Sequence, residues 1–383
     1  MNIGFFTDSY TPQVNGIATS INFLVNELEV LGHRVHVFTP AMGGFTDDRD
    51  SVYRLISVRC VENPPYYFAT PFSLRALTLI PRLHLDIVHM HTPLSLGFIA
   101  YQVARIYHLP LVYTYHTLVP EYTHYIRILN RAIINKKFSE IADAFVCNLC
   151  DYIIAPSAKV KRLLLKYEVK TPVTVISNAI QTERFSRTER GYLHRRLGLM
   201  EARRMVLTVG RLGPEKNLEF LLRAFAQVAA KSSVHLVIVG EGYARPSLEQ
   251  LADRLSIKDQ VTFLGNIPYV DMPKVYADAD LLVSSSVSES HSMVLLEALA
   301  AGLPVVAVQD EALESTVING INGYLTGLDE EEFASKADAI LARSDTWRAM
   351  SEASQRISER FSIQIQVQQL LEVYDRVRRS YQR

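Results

Sequence analysis

Short runs of β-branched and apolar residues alternate along this chain with longer segments that have helical periodicity. In the first half the pattern predicts strands at Ile3–Thr7, Val35–Thr39, Ile87–Met90, Leu111–Thr114, Tyr152–Ala155 and Val173–Ile176. The second half repeats the alternation, with predicted strands at Met205–Val209, His235–Val239, Val261–Leu264, Leu281–Ser284 and Val305–Val308. Alternation of this kind is typical of parallel β-sheets that carry helices on both faces.

The two series of strands predict an α/β protein with two doubly wound, Rossmann-like domains. Between them, the stretch from Gln181 to Glu201 is polar and arginine-rich and has no strand pattern. We therefore predict a first domain over residues 1–183 and a second over residues 184–360. Residues 361–383 contain a helical run, Ile363 to Tyr381, which we expect to pack back on the first domain.

The length and composition are those of a folded protein with more than one domain. With 383 residues, 48% of them hydrophobic and 21% charged, the chain is too long for one ordinary core. Forty basic and forty acidic residues cancel, which argues against nucleic acid as a partner. The first strand leaves no room for a signal peptide, and no apolar run approaches the roughly 18–20 residues of a membrane span. We expect a cytoplasmic protein.

The three cysteines, Cys60, Cys147 and Cys150, are too few for a disulfide framework, which fits a reducing cytoplasm. Cys147 and Cys150 have the C-x-x-C spacing of redox and zinc sites. The sequence contains no second cysteine pair, and the segment around them has a helical pattern. The pattern therefore favours two thiols buried in a core.

The loop after the predicted strand Met205–Val209 has a composition that suits a diphosphate. Its sequence is Gly210-Arg211-Leu212-Gly213-Pro214-Glu215-Lys216-Asn217. Ligands of open α/β sheets bind beyond the carboxyl ends of strands, which is where this loop lies. Arg211 and Lys216 supply two cations there, and each charge-assisted bond to a phosphate is worth about 1.5–3 kcal/mol. The alternative is a solvated turn in which Lys216 only begins a helix.

Two glutamates, Glu289 and Glu297, lie at the start of and inside a predicted helix that ends at Gly302. Ser290 or Ser292 can cap this helix. Glu289 then precedes the helix, where free N–H groups attract anions, and Glu297 lies about two turns in, within an apolar run. This arrangement can hold a phosphate at the helix tip and a hydroxyl-rich group beside its flank. The alternative is a capping Glu289 and a Glu297 paired with a core lysine or arginine.

Two further features lie at strand ends in the first half. Gly16 begins a helix after the first strand, and a glycine there lets backbone N–H groups approach an anion closely. The alternative is an ordinary loop glycine. His89, His91 and His116 also follow or end strands. Three histidines can bind zinc, but neither segment has a carboxylate or cysteine at ligand spacing, so we expect His116 to hydrogen-bond a ligand instead.

Paired acids are the other candidate source of a metal site. Asp48-Arg49-Asp50 lies in a polar loop, and Asp278-Ala279-Asp280 directly precedes a strand. Both pairs have the pattern of solvated turn acids and helix ends. We therefore predict a site that relies on cationic side chains, without a metal and without a cofactor.

The segment from Ile126 to Phe138 predicts a helix that is basic on one side and apolar on the other. Its cations are Arg127, Arg131, Lys136 and Lys137. Such a helix can lie on an anionic membrane surface, where each cation adds about 1 kcal/mol. The alternative is an ordinary amphipathic helix that covers the sheet.

Three motifs of the second half occur together. They are Gly-Arg-x5-Asn with Lys216, the spacing from Glu289 to Glu297, and Ala-Ala-Gly-Leu-Pro-Val-Val at residues 300–306. Together they resemble the family-4 retaining glycosyltransferases of the GT-B fold, over nearly the whole chain. Within that family, Phe5–Ser20, His89–Gly97 and Tyr113–Thr117 are similar to bacterial diacylglycerol glucosyltransferases. The GT-B fold implies that the two domains face a deep interdomain cleft.

The resemblance implies how a nucleotide sugar would be held. Arg211 and Lys216 would bind the donor diphosphate, and Gly16 would admit the phosphates. Glu297 would hold the ribose hydroxyls, which would account for its apolar neighbourhood. The chain departs from the family pattern at two places: Ser292 stands where a glycine is common, and Ser177-Asn178-Ala179-Ile180 stands where a Pro-Thr/Asn-Gly-Ile segment is usual.

The same resemblance implies which residues would act on the sugar and the base. Glu289 and His116 would be the catalytic residues, Glu289 near the reacting face of the sugar and His116 from the opposite domain. The backbone near Asn266 and Ile267 would recognise the base.

The implied activity is a retaining, metal-independent transfer of a hexose, expected to be glucose from UDP-glucose, to the hydroxyl of diacylglycerol. The partners would be a nucleotide sugar, a lipid acceptor and the anionic inner face of the cell membrane, to which the protein would bind peripherally. A lipid acceptor favours the membrane interpretation of the basic segment. The alternatives are a transferase acting on a glycolipid, a polyol or an isoprenoid-linked sugar, and a UDP-sugar epimerase.

Overall fold

The computed structural model describes residues 1–13, 15–59, 67–70, 74–116, 136–186, 188–199 and 203–381. The chain divides into two compact units, Met1–Asn178 together with Ile363–Arg383, and Ala179–Ser362. The sequence pattern placed the division at residue 183, whereas it falls after Asn178. The reason is Ile180, which is 0% exposed and whose amide donates a hydrogen bond to the carbonyl oxygen of Phe361 in the second unit at 3.1 Å.

A seven-stranded sheet forms the centre of the first unit. The strands from Met1 to Asn178 are β1 (Asn2–Phe6), β2 (Arg34–Pro40), β3 (Val52–Leu55), β4 (Ser57–Arg59), β5 (Tyr67–Ala69), β6 (Ile87–Met90), β7 (Leu111–Thr114), β8 (Tyr152–Ala155) and β9 (Val173–Val175). The sheet has the order β3-β2-β1-β6-β7-β8-β9 and is parallel, while β4 and β5 form a separate antiparallel pair. The helices of this unit are Gly16–Val30, Leu74–Leu83, Ser95–Ile106, Lys136–Asn148, Ala158–Lys166 and Ile363–Tyr381.

A six-stranded parallel sheet forms the centre of the second unit. Its strands are β10 (Arg204–Val209), β11 (Val234–Val239), β12 (Val261–Gly265), β13 (Leu281–Ser284), β14 (Val305–Val308) and β15 (Gly323–Thr326), in the order β12-β11-β10-β13-β14-β15. The helices are Thr182–Ser186, Tyr192–Leu197, Leu218–Ala229, Arg245–Arg254, Met272–Asp278, Met293–Ala300, Glu330–Leu341 and Ser344–Ser358. Each unit has the doubly wound, Rossmann-like architecture that the alternating pattern predicts.

All of the predicted strands are present, and two of the strands that the pattern missed, β3 and β15, have local causes. β3 lies at the edge of its sheet, and of its residues only Leu55 is fully buried, so it lacks a continuous apolar run. β15 begins with Gly323, a residue that usually indicates a turn. A Cβ at this position would lie 2.0 Å from the carbonyl oxygen of Val305 on the neighbouring strand. Glycine is therefore required inside this strand by the close approach of two backbones.

The helix Ile363–Tyr381 has the bounds that the sequence predicts and belongs to the first unit. Its Tyr374 is fully buried, and the hydroxyl oxygen lies 2.5 Å from Nδ1 of His89 in β6. Arg378 donates a hydrogen bond to Oδ1 of Asp86 at 3.0 Å. The last helix of the chain thus contacts β6 and the residue that precedes it.

The helix Lys136–Asn148 turns one face inward and one outward. Asp143 and Cys147 are buried on the inner face, and burial raises the pKa of the Cys147 thiol. Cys150, just beyond the helix, is buried too, and its thiol pKa is raised for the same reason. Both cysteines are free core thiols, as the pattern favours, and Cys60 lies outside the described residues. Among the described helices, none is both long and apolar enough to cross a membrane.

The acids that precede β13 are buried, so the prediction of solvated turn acids is wrong for them. Asp278 is 0% exposed and accepts hydrogen bonds from the backbone amides of Gly191 and Leu193 at the start of helix Tyr192–Leu197. Asp280 is 4% exposed and lies 3.0 Å from guanidinium nitrogens of both Arg190 and Arg204. These partners satisfy both carboxylates within the fold and account for the pair structurally.

Candidate functional site

A cavity that is open to solvent, with about 380 Å³ of empty space in and around it, lies at the carboxyl ends of β10, β11 and β13 in the second unit. This edge of the sheet is where open α/β folds bind their ligands. The residues that line it include Arg211 and Lys216 from the loop after β10, and Ser286, Glu289 and Ser292 from the segment after β13. The structure therefore brings the predicted cationic loop and the first predicted glutamate together around one space.

Backbone geometry shapes the loop after β10. Gly210 has a φ of +151° in the left-handed half of the map, where a side chain is strained. A Cβ on neighbouring Gly240 would lie 1.9 Å from the carbonyl oxygen of Gly210, so glycine is required where the ends of β10 and β11 meet. The loop continues as a short 3₁₀ turn, Pro214–Lys216, followed by Asn217 with a φ of +47°. This backbone path follows the end of β10 at Val209 and places Lys216 at the cavity.

Lys216 and Glu289 form an ion pair at the cavity, with Nζ and Oε1 2.6 Å apart. Their side chains are 25% and 11% exposed, so the pair is neither fully buried nor freely solvated. The two loops are also joined by hydrogen bonds to backbone carbonyl oxygens. The hydroxyl of Ser285 donates to the carbonyl oxygen of Lys216 at 2.6 Å, and the amide of Val287 donates to the carbonyl oxygen of Glu215 at 3.1 Å. The ammonium and the carboxylate are therefore held by both chain segments.

Arg211 supplies the second cation. Its side chain is 46% exposed, and its Nε lies 3.8 Å from Oε1 of the buried Glu215. An ion pair of this length and exposure contributes little stability. Lys216 and Arg211 line the same cavity.

The helix Met293–Ala300 begins at this cavity. Ser292 is its N-cap residue, but its side chain makes no capping hydrogen bond and lines the cavity instead. Helix N-termini carry unpaired N–H groups and a positive potential, and both attract phosphate. Asp310 accepts a hydrogen bond from the amide of Glu289 at 3.3 Å and so helps to hold the segment before the helix. Nothing in the sequence pattern around Asp310 indicated this contact.

Glu297 lies in a different environment from Glu289 and is not among the residues that line the cavity. The hydroxyl of Tyr276 donates a hydrogen bond to its Oε2 at 2.7 Å. Burial raises the pKa of Glu297 to about 7, although hydrogen bonds from Tyr276 and Tyr269 and the charge of Arg184 oppose the rise. This buried acid therefore interacts with two tyrosines, Tyr276 and Tyr269, and with the charge of Arg184. Neither tyrosine was found by the sequence pattern.

Asn266 and Ile267 directly follow β12, at the same edge of the sheet as the cavity. Asn266 is exposed and Ile267 is buried. The amide of Gly240 donates to the carbonyl oxygen of Gly265 at 2.9 Å, which joins the end of β12 to the end of β11. Their predicted contact with a base stays a prediction.

In the first unit, Gly16 and His116 lie where the sequence places them. Gly16 is the first residue of helix Gly16–Val30, whose N-cap Asn15 accepts a hydrogen bond from the amide of Ala18 at 3.0 Å. His116 follows β7, and burial lowers its pKa to about 4, so the ring is neutral near pH 7. Its Nε2 lies 3.1 Å from Nδ1 of His91. The described residues contain no group of three or more potential metal ligands.

The structure describes only the last residues of the predicted membrane segment. Arg127 and Arg131 lie outside the described residues, while Lys136 and Lys137 begin the helix Lys136–Asn148, with Lys137 exposed. This helix continues the pattern beyond the predicted segment. Its side chains Ile141 and Phe145 are 60% and 64% exposed, respectively.

Comparison with known families identifies the class of protein to which this geometry belongs. Residues 14–184 match the family described as Glycosyltransferase Family 4, and residues 190–357 match Glycosyl transferases group 1. The chain is 33% identical over 358 residues to alpha-monoglucosyldiacylglycerol synthase of Streptococcus pneumoniae, a match that covers 90% of this chain and 79% of the relative. This chain belongs to the family-4 glycosyltransferases.

Solved structures support the same assignment at the level of the fold. Sucrose-phosphate synthase from Thermosynechococcus elongatus is similar with a TM-score of 0.82 at 21% identity, over 98% of both chains. HepE from Anabaena, solved in complex with UDP and glucose, is similar with a TM-score of 0.77 at 21% identity, over 98% of this chain and 99% of HepE. The family-4 glycosyltransferase described here is thus a transferase enzyme with the two Rossmann-like domains of the GT-B fold.

Proposed function

We propose that this family-4 glycosyltransferase transfers glucose from UDP-glucose to the hydroxyl of diacylglycerol, with retention of the anomeric configuration. The observation that carries the proposal is the convergence of Lys216, Arg211 and the N-terminus of helix Met293–Ala300 on one cavity. Each of them attracts negative charge, and a diphosphate is a ligand that needs several such partners at once. A nucleotide sugar carries that group at its reacting bond.

The proposed mechanism stabilises the diphosphate as it leaves. Negative charge grows on the departing UDP, and Lys216 and Arg211 are already in place to balance it, so no divalent cation is required. The acceptor hydroxyl would approach the same face of the sugar through a short-lived, oxocarbenium-like ion pair. Glu289 holds Lys216 and would contact the sugar near the reacting face. Glu297 would hold the ribose hydroxyls.

Three further contacts complete the proposed donor complex. His116 would hydrogen-bond the transferred sugar, and the amide of Gly16 would approach the phosphates. The backbone at Asn266 and Ile267 would recognise the base. The HepE complex with UDP and glucose supports the choice of UDP, because that protein shares the fold.

The name of the Streptococcus relative supports the acceptor and the stereochemistry. That enzyme makes an alpha-linked monoglucosyldiacylglycerol, as its name states. UDP-glucose carries its glucose in alpha linkage, so an alpha-linked product implies retention. We propose the same acceptor and the same outcome for this chain.

The direct test supplies the purified protein with UDP-glucose, UDP-galactose or GDP-mannose and vesicles that contain diacylglycerol. We expect mass spectrometry to detect monohexosyl-diacylglycerol with UDP-glucose, NMR to show the alpha anomer, and the rate to be unchanged by a chelator. Loss of turnover on chelation would exclude the metal-independent mechanism. If the hexose is transferred only to a glycolipid, a polyol or an isoprenoid-linked sugar, then diacylglycerol is not the acceptor. If the UDP-sugar is isomerised in the absence of any acceptor, the enzyme is an epimerase.

We also propose that the protein binds the anionic face of a membrane through the stripe Lys137, Ile141 and Phe145. These residues are four positions apart on helix Lys136–Asn148 and therefore share one face. The two apolar side chains are mostly exposed, while Asp143 and Cys147 on the other face are buried. A helix with apolar side chains and a cation on its outer face suits an anionic lipid surface. Arg127, Arg131 and Lys136 are proposed as further lipid contacts.

The double variant Ile141→Ser/Phe145→Ser is expected to bind vesicles of phosphatidylglycerol and phosphatidylcholine at least about tenfold more weakly than the parent protein. Burying two large apolar side chains in lipid is worth up to about 1.5–3 kcal/mol each, and the exposed positions cost little folding stability when changed. Vesicle sedimentation measures the effect. Leu165→Ser is the matched control, because Leu165 is 54% exposed on a different helix of the same unit. Equal sedimentation of the double variant and the parent protein would refute the stripe.

A further inference from the structure

His91 is locked in place by the rings around it. The side chain is 1% exposed and lies just beyond β6, beside the end of β7. Its ring stacks on His89 with centroids 4.1 Å apart and packs edge-on against Phe5 at 4.6 Å. These contacts leave the ring little freedom to rotate.

The ring of His89, on which His91 stacks, is also fixed. Nδ1 of His89 lies 2.5 Å from the hydroxyl of Tyr374, and Nε2 lies 2.7 Å from the hydroxyl of Thr114. Both nitrogens of His89 therefore have partners within the first unit. Because His89 cannot turn without losing one of these bonds, it provides a rigid surface on which His91 stacks.

The hydrogen bonding of His91 decides where its proton lies. Burial lowers the pKa of His91 well below its usual value, and neighbouring His89 and His116 lower it further, so the ring is neutral and carries one N–H. Nδ1 lies 3.1 Å from Nε2 of His116, whereas Nε2 of His91 has no hydrogen-bond partner among the described residues. A proton on Nε2 would be a buried, unsatisfied donor, which proteins avoid more strictly than an unsatisfied acceptor.

We propose that His91 is a positioning residue that donates its Nδ1–H to Nε2 of His116 and so holds His116 in the tautomer with the proton on Nδ1. In this tautomer the N–H donor of His116 is at Nδ1. Its unprotonated Nε2 accepts the bond from His91 and therefore does not contact the sugar. A sugar hydroxyl that contacts Nδ1 of His116 must therefore accept a hydrogen bond with its oxygen. The role toward sugar rests on the proposed function, but the tautomer does not.

The tautomer is tested on the protein alone. In ¹⁵N-histidine-labelled protein at pH 7.5, the Nε2 signal of His116 is expected at the downfield shift of an unprotonated ring nitrogen, and the Nδ1 signal at the upfield shift of a protonated one. The His116→Gln variant assigns these signals by their loss. A protonated Nε2 on His116 would overturn the proposal, whatever the enzyme transfers.

The positioning role is tested by turnover. His91→Leu removes the donor and is expected to lower kcat with UDP-glucose about tenfold, the equivalent of one lost hydrogen bond, with little change in KM for the donor. His91→Asn keeps an amide N–H near the position of Nδ1 and is expected to recover most of that loss. Recovery by Asn and a shift of the His116 signals in His91→Leu together support the role.

His235→Leu is the matched control, because His235 is a buried histidine of the second unit whose Nε2 lies 2.8 Å from the hydroxyl of Thr262. We expect it to lower the melting temperature without the selective loss of kcat. Losses of kcat that follow the melting temperature equally in His91→Leu, His91→Asn and His235→Leu would overturn the positioning role. If the parent protein transfers no sugar from any nucleotide donor, the proposed function fails, and the NMR result still decides the tautomer.

Discussion

The Lys216→Ala variant is expected to lose about 10²–10³-fold in kcat with UDP-glucose, which is the usual effect of removing one preorganised donor from a developing negative charge. Lys216 is the less exposed cation of the cavity, with its Nζ 2.6 Å from Oε1 of Glu289, whereas Arg211 is 46% exposed and its Nε lies 3.8 Å from Oε1 of Glu215. The remaining arginine can still bind the ground-state diphosphate. Initial-rate kinetics should therefore show a larger fall in kcat than rise in KM.

Two matched variants separate catalysis from folding in this experiment. Lys231→Ala removes a lysine of the same unit that is 67% exposed and 3.9 Å from Asp338, and it should leave kcat unchanged. Lys216→Arg keeps a positive charge beside Glu289 and should recover part of the activity. Thermal unfolding of all three variants measures the folding cost, which we expect to be about 1–3 kcal/mol for Lys216→Ala because the carboxylate of Glu289 loses its ion pair with Lys216. Parent-like turnover in Lys216→Ala would refute the diphosphate assignment.

The two sheets could be predicted from the sequence because their central strands are short, continuous apolar runs. All four residues of β14 are apolar and buried, for example, and the run is visible without any structure. The division between the units could not be placed as well. The segment after Asn178 is rich in arginine and looks like a linker, but it begins with Ala179 and Ile180, which are buried in the second unit. A few apolar residues in a polar stretch decide to which core the stretch belongs.

The candidate site was predictable where the chain order itself brings residues to one sheet edge. The loop after β10 and the segment after β13 follow adjacent strands, so Lys216 and Glu289 meet by topology alone. The partners of Glu297 could not be predicted in this way, because Tyr276 lies on another helix and local periodicity says nothing about which helices touch. The available signal was physical: a buried acid needs donors, and the helix Met272–Asp278 offers a tyrosine.

The Glu289→Gln variant is expected to lower kcat at least about hundredfold while it binds UDP more tightly than the parent protein does. The carboxylate is 11% exposed and faces the same cavity as Lys216, so it repels a diphosphate in the ground state. Glutamine keeps the shape but removes this charge and releases Lys216 from its ion pair. If Glu289 serves the reacting sugar, turnover is lost although product affinity rises.

Opposite changes in turnover and affinity are difficult to obtain by damage to the fold, because a damaged cavity loses both. Calorimetric titration with UDP and initial rates with UDP-glucose measure the two quantities. Glu249→Gln is the control, because it removes a solvated carboxylate that lies 2.8 Å from Arg245 on a helix of the same unit. It should change neither quantity. Weaker binding of UDP to Glu289→Gln with parent-like turnover would mean that Glu289 only holds Lys216 in place, and that the catalytic assignment of this carboxylate is wrong.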